Sequence, residues 1–163
     1  MTRKRRTEEQ LQVASNHLFY EVWMLGILTQ AMASGIAGEG PMNNALLESF
    51  TIHARALLDF LYTEKPKSDD VIAEDYFADP ARWVSIRPAK TTTLQTVHHR
   101  VGKEVAHLTY ARQEVAPEMK AWPFVQIGQE IISICDLFLR SIPGNLIGER
   151  WTATGLKNEP VKV

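Results

Sequence analysis

The densest chemistry in this sequence lies in the run His98-His99-Arg100-Val101-Gly102-Lys103-Glu104-Val105-Ala106-His107. Seven residues turn an α-helix through about 700°, so on a helix Arg100 and His107 nearly eclipse, about 10 Å apart along the axis. Glu104 falls between them on the same side. A cation, a carboxylate and an imidazole on one helical edge suit phosphoryl chemistry. A guanidinium grips phosphate through two parallel hydrogen bonds, and an imidazole, titrating near pH 6.5 when unperturbed, moves protons at neutrality. In that reading Arg100 holds the phosphate, His107 transfers the proton and Glu104 orients one of them. A plain structural network explains the same residues, with Arg100 and Glu104 paired four apart.

Metal binding is the competing use of His107. Glu104-Val105-Ala106-His107 is one E-x-x-H half of a ferritin-like di-iron site, but such a site needs a second half, and the sequence has no second motif. The remaining metal reading is a mononuclear site drawing on His53, His98 or His107 from separate helices. His53 falls within an apolar stripe, where a histidine needs a hydrogen-bond partner from a neighbouring helix. His17, four before Glu21, is expected to form a surface pair with it. No cofactor is expected: Gly35, Gly38 and Gly40 lack the Gly-Lys-Ser/Thr of a phosphate loop and follow a helix rather than a strand. The single cysteine, Cys135, excludes an intrachain disulfide and a zinc finger. It lies in an apolar run that marks a buried structural thiol.

These residues must be positioned by helices, because strand-like alternation is absent. Thr7 and Gln10 have capping-box spacing, and Leu11, Ala14, Leu18, Val22, Leu25, Leu28 and Met32 then recur at three and four residues. Phe19, Trp23 and Ile27 widen that face. Gly35 to Pro41 end this helix, and Asn43 or Asn44 is expected to cap a second one with the stripe Leu46, Phe50, His53, Leu57 and Phe60. Arg55 and Asp59 sit four apart on its polar side. From Ser68 to Lys90 the sequence reads as a long connection with one short helix capped by Ser68, docked by Trp83 and Ile86.

A third helix is expected from after Thr93 to about Glu114, with Leu94, Val97, Val101, Val105 and Leu108 as its apolar stripe. Pro123 suits the first turn of a fourth, which is apolar around most of its circumference from Phe124 to Leu139 and belongs at the bundle centre or a subunit interface. The expectation is an all-α four-helix bundle over residues 7–142, with one short extra helix between main helices 2 and 3. Residues 1–6 read as a basic disordered tail and 143–163 as an irregular C-terminal tail.

At 163 residues the chain can bury one real core. Arg3, Lys4, Arg5 and Arg6 hold four of its eighteen basic residues; without them fourteen face nineteen acidic residues, a net charge of −5. That opposes a broad nucleic-acid-coating face, which needs excess positive charge. Glu8 and Glu9 follow the basic start where a secretory signal has its apolar core, and the apolar stretch 22–37 is too short and polar for a bilayer. The expected location is the cytoplasm, without membrane partners.

On the Arg100-to-His107 spacing, with six residues between them, and on the four-helix layout, the chain resembles the HEPN families. Their active members carry Arg and His separated by four to six residues. Two subunits bring these motifs together and cut RNA without metal, by attack of the 2′-hydroxyl. Other members are non-catalytic binding or antitoxin-associated modules. The resemblance therefore implies either a metal-independent ribonuclease or an interaction module for RNA or a partner protein. Val101 stands where the family often has a polar residue, which weighs against catalysis more than against fold. A homodimer is expected, through the apolar fourth helix or the crevice near Arg100.

Overall fold

The computed structural model describes residues 4–101, 105, 110 and 121–153, with the side chains of His98 and Ala153 left aside. Helix α1 (Glu8–Ala33) begins as the capping pattern predicts. Thr7 Oγ1 accepts from the Gln10 amide at 3.2 Å, and Gln10 Oε1 accepts from the Thr7 amide at 3.0 Å. Gly35, Gly38 and Gly40 then turn the chain in the left-handed region, which glycine enters without a Cβ clash. Helix α2 (Pro41–Tyr62) starts earlier than the asparagine caps imply, because Pro41 takes the first turn, where no amide is needed.

The connection after α2 holds a 3-10 turn, Ala73–Tyr76, and a short helix α3, Ala81–Ile86, where the pattern had one short helix capped by Ser68. Helix α4 (Thr92–Arg100) and helix α5 (Phe124–Ser141) supply the remaining bundle faces. The expected continuation of the third main helix to Glu114 falls, apart from Val101, Val105 and Tyr110, outside the described residues. The segment after 142 was expected to be irregular. It carries a 3-10 turn, Gly144–Leu146, and helix α6, Glu149–Ala153. The cause is Trp151, whose buried indole donates to the Ser15 carbonyl at 2.7 Å and meets Phe19 edge-on at 5.1 Å. The bundle is all-helical, and among the described residues no helix is long and apolar enough to cross a membrane.

Phe138 of α5 is the hub of the core. Phe60, Tyr76, Phe77 and Trp83 all meet its ring at 5.0–6.1 Å between centroids, each steeply inclined to it. Such pairs add about 0.5–1.5 kcal/mol each beyond burial. The polar ends of these rings are satisfied across elements: Tyr76 donates to the Leu11 carbonyl at 2.9 Å and Trp83 to the Leu61 carbonyl at 2.9 Å. Burial pushes the Tyr76 phenol far above its ordinary range, which keeps it a donor. These two bonds tie the long connection to α1 and α2.

One expectation about helix faces is met and another changes. Helix α5 lies at the centre, packed on α1 and α2, with Ile127, Ile131, Ile132, Ile134, Cys135 and Phe138 all buried. The bundle centre is one of the two places its apolar circumference implied, and Val125 and Leu137 remain on its outer side. On α1 the buried face is narrower than the pattern implies: Ser15 and Thr29 are inside it, whereas Trp23 and Ile27 face outward. The inward hydroxyls serve close packing. Ser15 Oγ accepts from the Gly148 amide at 2.6 Å, and Thr29 sits against Gly128 of α5.

Candidate functional site

Helix α4 carries Arg100 near its end, and its start is locked to α5. Thr91 Oγ1 accepts from the Leu94 amide at 3.2 Å and donates to Glu130 Oε2 at 2.5 Å. Gln126 bridges Thr93 and Glu130 at 3.0 and 2.8 Å. Leu94, Val97 and Val101 are buried as the stripe predicts, which turns His99 and Arg100 toward the helix flanks.

The Arg100 guanidinium lies 4.1 Å from the centroid of the Trp122 ring, and its Nη1 donates to the Ala121 carbonyl at 3.2 Å. Cation–π contact of this kind contributes about 0.5–2 kcal/mol, depending on exposure. Arg100 therefore fastens the end of α4 to the segment that leads into α5. Glu104, His107 and the side chain of His98 lie outside the described residues, so Arg100 is the one placed member of the Arg100, Glu104 and His107 trio.

One face further round α4, His99 and Gln95 line a cleft of about 650 Å³ against the end of α2, with Asp59, Glu64, Lys65 and Lys90. Tyr62 forms its floor. Lys90 and Arg87 lie over the Tyr62 ring at 5.2 and 5.1 Å, and its hydroxyl donates to the Pro88 carbonyl at 2.8 Å. Burial raises the phenol's pKa against the opposing pull of Arg87. Tyr62 thus braces the end of α2 against the connection that follows it. Among the described lining residues the carboxylates Asp59 and Glu64 match the ammonium groups Lys65 and Lys90, whereas a phosphate polymer is held by excess positive charge. Arg55 and Asp59 pair at 3.7 Å, as their spacing predicts.

Away from α4 the structure joins two groups that sequence reasoning kept apart. His53 Nδ1 lies 2.7 Å from Glu21 Oε2, with the imidazole buried between α1 and α2 and the Tyr20 ring edge-on at 5.7 Å. His53 finds its partner on a neighbouring helix, as its place in the stripe implies. The expected His17–Glu21 surface pair is replaced by this bond, and His17 is exposed. One signal was present: Glu21 is the sole Asp, Glu, Lys or Arg between Gln10 and Gly38, and an isolated carboxylate in a long apolar helix calls for a partner.

For the metal alternative of His53, His98 and His107, no group of three or more metal-ligating side chains exists among the described residues, and His53 is already bonded to Glu21. Cys135 is fully enclosed, and burial pushes its thiol up to about 12, far from a reactive thiolate. No protein-family model, curated protein or solved structure shows a significant similarity to this chain.

Proposed function

We propose that the chain is a HEPN-like helical interaction module that works without catalysis, as a homodimer in the cytoplasm, and engages a partner protein rather than cutting RNA. The observation that carries this reading is the engagement of Arg100, whose guanidinium is stacked on Trp122 and bonded to the Ala121 carbonyl of its own chain. A ribonuclease of the HEPN kind needs that group on the scissile phosphate. The charge balance of the neighbouring cleft supports the same reading, because Asp59 and Glu64 would repel a phosphate chain that Lys65 and Lys90 attract.

The test is an RNA-cleavage assay in the presence of a metal chelator, with single-stranded and hairpin substrates. The wild type is expected to leave both intact, and Arg100→Ala to lower stability by about 1 kcal/mol through the lost stacking. Metal-independent cleavage by the wild type, abolished in Arg100→Ala or His107→Ala with helicity retained, overturns the proposal in favour of the ribonuclease.

A further inference from the structure

A row of exposed apolar side chains runs along the outward face of α1. Val13, Tyr20, Trp23 and Ile27 are 55%, 43%, 48% and 46% exposed. With the exposed residues His17 and Gln30 they form one ridge with steps of three and four residues. That spacing averages close to 3.5, the repeat of a helix that packs along another helix. The face also lacks charge. Glu21 is the sole Asp, Glu, Lys or Arg between Gln10 and Gly38, and it is turned to His53. A helix that faces only water carries charge on its outer side. An uncharged ridge attracts neither phosphate nor acidic lipid and is matched by a second uncharged ridge.

The order of residues along the ridge identifies its occupant. Val13 and Ile27 each lie seven residues from Tyr20, and His17 and Trp23 each lie three from it; Gln10 and Gln30, both exposed, lie ten from it. An antiparallel two-fold centred on Tyr20 therefore sets aliphatic on aliphatic, imidazole on indole and amide on amide. This self-matching under a two-fold is the property an isologous interface requires. Tyr20 is already braced for the role, with Trp23 at 6.4 Å and His53 at 5.7 Å between ring centroids.

We infer that two copies of this chain associate through their α1 helices, antiparallel about Tyr20. The inference rests on the proposed function only in taking self-association as part of it, and neither the cleft nor Arg100 enters. The ridge from Val13 to Ile27 spans about 21 Å, short for a permanent dimer. The expected dissociation constant is therefore on the order of micromolar.

The experiment is sedimentation of the full chain across concentrations around that value, joined to site-directed cross-linking. Trp23→Glu is expected to raise the dissociation constant at least about tenfold with helicity and melting unchanged. Because Cys135 is buried, Tyr20→Cys introduces one accessible thiol on the two-fold axis. A short bis-maleimide should link it into dimers, while Val84→Cys, exposed on α3, stays unlinked. A wild type that is monomeric throughout overturns the inference. So does a dimer indifferent to Trp23→Glu whose Tyr20→Cys variant links no better than Val84→Cys; that result leaves self-association standing but moves it to another surface. The RNA-cleavage result is independent of all these outcomes.

Discussion

Replacing Gly128 by alanine should destabilise the protein even though it improves the helix. In the interior of an α-helix, alanine is favoured over glycine by about 1 kcal/mol. At this position the new methyl would enter the space of Thr29 on α1, inside contact distance of Oγ1 and 3.1 and 3.3 Å from Cγ2 and Cβ. Thr29 cannot simply swing aside. It is buried, and its hydroxyl donates to the Leu25 carbonyl at 2.7 Å. Turning it either breaks that bond or drives Cγ2 into the methyl. Overpacking of this sort costs about 1–3 kcal/mol, and a buried hydroxyl that loses its partner costs about 1–3 kcal/mol. Set against the local gain, the net loss should be about 1–2 kcal/mol, read as a lower urea midpoint with an unchanged slope. Thr29→Ala removes Oγ1 and Cγ2, the two nearest atoms, and keeps the 3.3 Å contact to Cβ. In that background Gly128→Ala should be neutral or slightly stabilising, a coupling of more than about 1 kcal/mol in a double-mutant cycle. If Gly128→Ala matches the wild type, or costs the same in both backgrounds, the close approach of α1 and α5 is not what glycine serves. The point bears on function because this contact sets how α1 is seated and hence which residues its outer ridge presents.

Two further outcomes are expected. Glu21→Ala should cost about 1–3 kcal/mol in chemical denaturation, because it leaves the buried His53 imidazole without its partner; Glu21→Gln, which keeps an acceptor there, should cost less, and equal losses would show that the bond is not the cause. The Cys135 thiol, pushed up to about 12 by burial, should resist thiol reagents in the native protein and react fully in denaturant. The folded thiol keeps its proton where the unfolded one loses it, so stability should fall as pH rises from about 9 toward 12, by on the order of 1 kcal/mol per unit from this group. Rapid labelling of native protein, or no such fall in Cys135→Ala-corrected melts, would refute the enclosure.

What the sequence determined is the part of the architecture that local chemistry dictates. The capping box at Thr7 and Gln10 starts α1, Pro123 stands directly before the first residue of α5, and three-and-four spacing commits each segment to helix. These signals act within a few residues, so they need no knowledge of the rest of the chain. Tertiary structure decided which of several eligible faces each helix buries. Trp23 and Ile27 extend the apolar arc of α1, yet Ser15 and Thr29 are the residues inside, because Gly148 and Gly128 bring backbone too close for anything larger. The indole of Trp151 folds the last described segment back onto α1, a contact that spans 136 positions and leaves no local mark. The same holds at the candidate sites. Helical spacing offered Glu21 to His17 and Arg100 to Glu104, the neighbours within one turn. The folded chain gave Glu21 to His53, 32 residues away, and laid Arg100 on Trp122, from beyond its own helix, while the pairing with Glu104 lies outside the described residues. A helix face fixes what a residue can reach along its own axis, and only the packing of one helix against the next decides what it meets across the gap.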